Sequence, residues 1–151
     1  MNRKLLAIAT LIGAATALPA AAQFAKPEDA VKYRKAAFQV MAAHFGRIGA
    51  MANGKAPFDA AAAASNADVV AFAAKLPFAG FVEGTSGTEK GTPKASVWTE
   101  RAKFDEGAKK MQEATAKLAA AAKGGKLDDV KAAFGAAADT CKGCHDNFRN
   151  P

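Results

Sequence analysis

The chain has 151 residues, 41 of them alanine, and carries a formal net charge of +7 at pH 7. Its length favours a single domain. Because the basic residues are mixed with acidic ones and form no dense stripe with interleaved aromatic side chains, the composition argues against a nucleic-acid partner.

The first 22 residues have the pattern of a secretory signal peptide. Arg3 and Lys4 form a basic start, residues 5–18 are apolar but short for a membrane span, and small residues at 20–22 suit a cleavage site. We expect residues 1–22 to be removed on export to the periplasm and residues 23–151 to form the mature domain. The alternative is an uncleaved anchor. No later segment is long and apolar enough to span a bilayer, so we expect no membrane insertion of the mature chain.

The mature chain is short of bulky apolar side chains. Valine, isoleucine, leucine and phenylalanine number 27, and six of these lie in residues 5–18. The 21 that remain among 129 residues are roughly 16%, below the ~20% under which disorder becomes a concern. The alanine-rich runs nonetheless favour helices. We therefore expect something other than the chain itself to fill part of the core.

Apolar residues at steps of three and four predict a first helix from Pro27, whose ring suits a first helical turn, to Asn53. The stripe that this helix would bury contains a single charged residue. It is made of Val31, Arg34, Phe38, Met41, Phe45 and Ile48.

The same spacing predicts a second helix over about residues 59–75, a third over about residues 95–122 and a fourth from Leu127. Residues 77–94 contain four glycines and Pro93 after the opening proline, which predicts a long loop. No alternating strand pattern is present. The expected fold class is all-α, an antiparallel four-helix bundle.

Residues 141–145 read Cys-Lys-Gly-Cys-His, the pattern by which haem c is attached covalently. Cysteines three positions apart lie on adjacent sides of a helical turn, so Cys141 and Cys144 can each form a thioether to a haem vinyl group. His145 follows directly and can reach the iron as its axial ligand. One such motif predicts one haem c per chain, enclosed by the bundle.

Other interpretations of the cysteine pair have less support. A thiol–disulfide active site would need a βαβ context, which the predicted helices do not provide. A zinc site would need a second cysteine pair, and His44 is the only other histidine.

The position of the motif near the C-terminus of a four-helix chain resembles the class II c-type cytochromes, and in detail the sequence is similar to the cytochrome c′ family. The likeness covers essentially the whole mature chain and is weakest around residues 84–91. It is carried by residues 23–34, 44–47, 76–81, 132–135 and 141–146, together with Trp98 and Arg149.

The resemblance implies a pentacoordinate, high-spin haem iron with His145 as its proximal ligand and no protein ligand on the distal side. It also implies binding of nitric oxide and carbon monoxide at the vacant face, electron transfer with an unidentified redox partner, and a periplasmic homodimer formed through the first two helices. Phe38 matches the distal position of the family, where an apolar ring cannot ligate iron and excludes water. Arg149 matches a position near the proximal imidazole; alternatively, it is a cation that complements a helix C-terminus.

Arg34 is the one charge on the buried stripe, and a buried guanidinium needs a partner. A haem propionate would bind it in bidentate geometry, with the adjacent Lys35 serving the second propionate. Alternatively, Arg34 extends to solvent at the end of the bundle. Phe78, Phe81 and Trp98 are expected to line the haem pocket or to pack in the core.

Two side chains of the first helix offer a sixth iron ligand. Met41 lies one turn from Phe38, and its thioether would give a six-coordinate, low-spin electron carrier, although methionine on such a stripe is more often core. His44 lies off the buried stripe. We expect no enzyme, because the distal stripe carries no acid–base pair suited to cleaving a peroxide.

Overall fold

The computed structural model describes residues 23–151, so the predicted signal peptide lies outside the described residues. The helices, in chain order, are α1 (Pro27–Ala52), α2 (Ala60–Ala73), the short α3 (Ser96–Thr99), α4 (Arg101–Lys123) and α5 (Leu127–Phe148). A 3-10 helix covers Pro77–Gly80. Over residues 23–151 we find no helix with the length and hydropathy that crossing a bilayer requires.

The helix ends follow from local chemistry. Pro27 opens α1, and Glu28 and Asp29 lie in its first turn, where negative charge stabilises the N-terminal end of the helix dipole. Asp59 caps α2, because its Oδ1 accepts a hydrogen bond from the Ala62 amide at 2.9 Å. The second helix is therefore slightly shorter than predicted, beginning at Ala60 and ending at Ala73.

The four long helices close into a ring of neighbours. α1 packs against α2, α2 against α4, α4 against α5 and α5 against α1. Gly125, at φ +69°, forms the tight turn between α4 and α5. The short α1–α2 and α4–α5 connections make each of these pairs a helical hairpin. The all-α four-helix bundle expected from the sequence is confirmed.

The predicted third helix is interrupted at Glu100, whose backbone leaves the helical region at φ −115° and ψ 42°. The expectation of one continuous helix over residues 95–122 is wrong at this point. The turn of α3 before the break carries Val97, and the first turn of α4 carries Phe104. Both are buried with Phe148 in one cluster, which we call the aromatic cluster. Burial of these side chains favours the bend over a straight helix.

Alanine dominates the interior. Eleven of the 21 buried apolar residues in the described part of the chain are alanines. The main core cluster combines them with a few large side chains, including Ile48, Val70, Met111 and Leu118. Short side chains let the helices approach one another closely, and they also explain why the sequence looked short of apolar bulk.

Candidate functional site

The Cys-x-x-Cys-His motif lies in the last two turns of α5. Cys141 packs against the main core cluster, and Cys144 packs against the aromatic cluster, so the two thiols face different parts of the interior. Both cysteines are half-buried and free, whereas His145 is exposed. The motif thus borders the region where the two clusters meet.

Partial desolvation shifts the pKa of the two thiols and of the imidazole in this motif. Desolvation raises the pKa of both the Cys141 and the Cys144 thiol, so both are neutral at pH 7. Desolvation, followed by the positive charge of Arg149, lowers the pKa of His145. The imidazole is therefore neutral at pH 7, the form that has a lone pair for a metal ion.

Phe38 belongs to a group of phenylalanines that reaches from α1 to the end of α5. Its ring meets Phe78 and Phe81 edge-on, with centroids 6.4 and 6.3 Å away. Phe81 lies 4.9 Å from Phe104, which in turn lies 5.3 Å from Phe148. The predicted distal side chain and the end of the motif-bearing helix are therefore joined by contiguous aromatic packing.

Arg34 is 4% exposed and points inward. Its guanidinium donates hydrogen bonds to the Gly80 carbonyl at 3.0 Å, to Thr85 Oγ1 at 2.6 Å and to the Thr85 carbonyl at 2.8 Å. It also lies 4.7 Å from the centroid of the Phe81 ring. The alternative in which Arg34 extends to solvent is wrong. Lys35, its neighbour, is exposed.

The charge of Arg34 has neutral partners only. None of the ion pairs found within residues 23–151 involves it. Burial lowers the pKa of this guanidinium, which stays charged all the same because an arginine titrates far above neutral pH. A buried cation held by carbonyl and hydroxyl dipoles is a site that an added carboxylate would stabilise.

Gly80 and Thr85, which hold Arg34, were not singled out by sequence reasoning. A Cβ on Gly80 would lie 2.6 Å from the Ala30 carbonyl oxygen and 2.9 Å from Arg34 Cβ, so only glycine fits here without a shift. Thr85 is buried and also donates to the Val82 carbonyl at 2.7 Å. Gly80 lies in a segment that carries the family likeness, but Thr85 lies in an irregular stretch where no periodicity marks it.

The indole of Trp98 gives an independent test of whether a haem fits. Its Nε1 is buried and is the one such side-chain atom in the described residues without a hydrogen-bond partner. An unsatisfied buried donor costs about 1–3 kcal/mol. Trp98 lines a cavity of about 560 Å³ with Phe78, Phe81, Glu83 and Arg101. Cys144 packs against the same cluster as Phe78, Phe81 and Trp98. A flat apolar group that carries carboxylates and is attached at the motif would cover these aromatic walls and could offer an acceptor to the unpartnered indole, so the residues present fit a haem.

The sequence is similar to that of known haem proteins. A family model described as cytochrome c′ matches residues 29–149. The cytochrome c′ of Rubrivivax gelatinosus is 47% identical over 127 residues, which cover 84% of this chain and 98% of that protein. The chain belongs to the cytochrome c′ family. Its cofactor is therefore covalently attached haem c, as the motif predicted. The four-helix bundle described above is the fold of this family.

Solved structures of the family have the same fold. The crystal structure of cytochrome c′ from Rubrivivax gelatinosus has a TM-score of 0.79 at 47% identity, covering 85% of this chain and all of that one. A nitric oxide complex of a variant of cytochrome c prime from Alcaligenes xylosoxidans has a TM-score of 0.78 at 44% identity, covering 85% of this chain and 98% of that one.

The two side chains of α1 that offered a sixth iron ligand have different surroundings. Met41 is buried in the main core cluster, together with Val70 and Met111. His44 Nδ1 lies 2.8 Å from Asn66 Oδ1 of α2. The structure thus brings Arg34, Phe38, Phe78 and Phe81 together. Met41 lies in the cluster against which Phe38 and Phe78 also pack, whereas His44 faces α2.

Proposed function

We propose that this chain is a periplasmic haem c protein whose pentacoordinate iron takes His145 as its only protein ligand. Its open distal face binds nitric oxide and carbon monoxide, and the iron is also able to transfer electrons. In this proposal Cys141 and Cys144 hold the haem through thioethers, and residues 1–22 are the cleaved signal peptide. The protein is a binding protein and not an enzyme.

The observation that carries the proposal is the surroundings of Phe38. Its ring carries no atom that can ligate iron, and its neighbours Phe78 and Phe81, which stack on each other, both meet it edge-on. A ring held in this way excludes water and polar ligands from the distal face by bulk and desolvation. A small uncharged gas needs only a small displacement of the ring to enter.

The remaining polar groups support the same arrangement. The haem would supply the axial iron site, and its propionates would lie toward Arg34, whose partners are otherwise neutral dipoles. Arg149 shares a cavity with His145, where its charge would act on the proximal side. Lys35 is exposed beside Arg34 and would serve the second propionate from the surface. Phe81 contributes the apolar wall between Arg34 and Phe38.

The proposal includes a homodimer formed through α1 and α2. Each of these helices exposes a large apolar side chain: Val40 is 49% exposed on α1, and Phe72 is 67% exposed on α2. Burial of such side chains against a second copy is favourable. Sedimentation tests this part of the proposal. We expect the wild type to sediment as a dimer and Phe72→Asp, which places a charge at the interface, as a monomer. A wild type that sediments as a monomer would contradict it.

The experiment that tests the gas-binding function is the absorption spectrum of the purified ferrous holoprotein with and without carbon monoxide or nitric oxide. A high-spin spectrum that shifts on adding either gas supports the proposal. A sharp low-spin spectrum that carbon monoxide leaves unchanged contradicts it and indicates a sixth protein ligand.

Met41→Ala identifies that ligand if the low-spin spectrum is found. It would convert the spectrum to high spin only if the Met41 thioether binds iron. His44→Ala, which removes the imidazole bonded to Asn66, tests the other candidate: it would give the high-spin spectrum only if the His44 imidazole binds iron.

A further inference from the structure

The last turn of α5 is held by a segment far away in the sequence. Helix C-termini leave carbonyl groups without partners inside the helix. Here the Lys94 amide donates to the Phe148 carbonyl at 2.9 Å, and Lys94 Nζ donates to the Asp146 carbonyl at 3.0 Å. Ser96 Oγ approaches the Asn147 carbonyl at 3.4 Å. The segment of residues 87–96 thus caps the helix that carries the haem motif; we call it the C-terminal clamp.

Asn150 makes the other half of this contact. Its amide donates to the Thr92 carbonyl and its carbonyl accepts from the Gly91 amide, each at 2.9 Å. Its side-chain Nδ2 donates to the Gly87 carbonyl at 2.7 Å and to Thr92 Oγ1 at 3.0 Å. Asn150 thus donates three hydrogen bonds and accepts one, and these four bonds fix the chain just beyond α5 to the clamp.

Between these two anchors lies Arg149. It forms an isolated antiparallel bridge with Pro93. Gly91 has φ +79°, and a Cβ at this position would lie 3.1 Å from Arg149 Nη2. The guanidinium therefore rests directly against the Gly91 backbone. It faces a cavity of about 460 Å³ that His145, Lys90, Lys94 and Asn150 also line.

We propose that the C-terminal clamp, through Gly91 and Asn150, is a positioning device that holds the Arg149 guanidinium beside His145 and so tunes the proximal iron ligand. The proposal rests on the proposed function in that it takes His145 to be this ligand. Groups around a metal-bound imidazole set its orientation and donor strength, and a guanidinium beside it adds a positive charge to its surroundings. Arg149 can act in this way only if its side chain is kept in place.

Gly91→Ala tests the proposal against a closely matched control. Gly84 has φ +74°, nearly the same backbone conformation, but a Cβ there meets nothing within 4 Å. Gly91→Ala and Gly84→Ala thus share the strain of a left-handed alanine, and only the first displaces Arg149. The readout is the iron–histidine stretching frequency of the ferrous holoprotein by resonance Raman spectroscopy. We expect Gly91→Ala to shift it in the same direction as Arg149→Ala, and Gly84→Ala to leave it at the wild-type value.

The same frequency in a double variant shows whether Gly91 acts through Arg149. In the Arg149→Ala background, we expect Gly91→Ala to cause no further shift. Equal shifts in Gly91→Ala and Gly84→Ala would overturn the proposal. So would a full Gly91→Ala shift that persists without the guanidinium.

Asn150→Ala tests the anchor by a measurement that does not depend on the iron. Loss of its side-chain hydrogen bonds should speed hydrogen exchange of the Gly91 and Lys94 amides by about tenfold. Thr88→Ala, at an exposed position of the clamp with no side-chain hydrogen bond, is the control. Unchanged exchange in Asn150→Ala would refute the clamp. A low-spin wild-type spectrum refutes the proposed function instead, so the two failures are distinguishable.

Discussion

The Arg34 guanidinium lies 4.7 Å from the centroid of the Phe81 ring, on which Phe38 packs edge-on at 6.3 Å. One aromatic side chain therefore joins a buried cation to the side chain proposed to cover the distal face of the iron. Close-packed rings transmit small displacements to one another. A change in the hydrogen-bond partners of Arg34 is therefore expected to shift the position of Phe38 through Phe81.

Phe38→Ala should speed the binding of carbon monoxide to the ferrous holoprotein by at least about tenfold, a barrier lower by ~1.4 kcal/mol. The change removes the ring that packs on Phe78 and Phe81 and that is proposed to cover the distal face. Stopped-flow mixing measures the rate. Phe45→Ala, which removes a ring of the same helix that stacks on Phe134, is the control. An unchanged rate in Phe38→Ala would show that Phe38 does not gate the iron.

Cys141→Ser should leave a haem attached by one thioether or none, because only Cys144 remains to form the bond. The intact mass, the pyridine haemochrome spectrum and resistance to acid–acetone extraction together measure the attachment. Doubly linked haem recovered from this variant would contradict the assignment of the motif.

Gly80→Ala should lower the free energy of unfolding of the holoprotein by about 1–3 kcal/mol, because the new Cβ meets the Ala30 carbonyl and Arg34. Gly46→Ala is the matched control, since Gly46 is exposed inside α1 and a Cβ there meets nothing within 4 Å. That change should stabilise the protein by about 0.5–1 kcal/mol through helix propensity. Denaturant titration measures both, and equal effects would count against the close approach at Gly80.

Thr85→Val should destabilise the holoprotein by about 1–3 kcal/mol, because it removes the hydroxyl that accepts from Arg34 and leaves that guanidinium less well paired. Val keeps the shape of the side chain, so little packing is lost. Thr88→Val, at an exposed position of the same loop, should change stability little. A Thr85→Val protein as stable as the wild type would show that Arg34 does not depend on this bond.

Removal of the haem should leave the chain partly unfolded. The chain with both motif cysteines replaced by serine carries no thioether and has only its own sparse apolar side chains to form a core. We expect reduced helicity by circular dichroism and a broad thermal transition. A haem-free chain that unfolds as cooperatively and at the same temperature as the holoprotein would show that the bundle does not need its cofactor.

The helices and the haem motif were predictable because each depends on residues that lie close together in the sequence. The stripe through Phe38 and Met41 repeats at helical spacing, and the cysteines and His145 lie within five residues of one another. The break at Glu100 was not predictable, because it follows from how Val97 and Phe104 share a cluster with Phe148. Apolar spacing alone cannot distinguish a bent helix from a straight one.

The partners of Arg34 and Arg149 were hidden for a different reason. Thr85 and Gly91 lie in a glycine-rich loop without periodicity, and they meet their arginines across 51 and 58 positions of sequence. Which backbone atoms a loop presents depends on its path, and the path is fixed only by the folded bundle. The sequence therefore identified Arg34 as a buried charge without revealing what holds it.

Because its interior is rich in alanine, this protein is more sensitive to substitutions that enlarge a buried side chain than to substitutions that shorten one. Ala67 and Ala137, both fully buried, have only a methyl group to lose, so trimming either to glycine creates a very small void. A leucine at the same positions would have to force the packed helices apart. The tolerance of the bundle to mutation is thus set by the small size of its interior side chains, because close-packed alanines leave no room for larger ones.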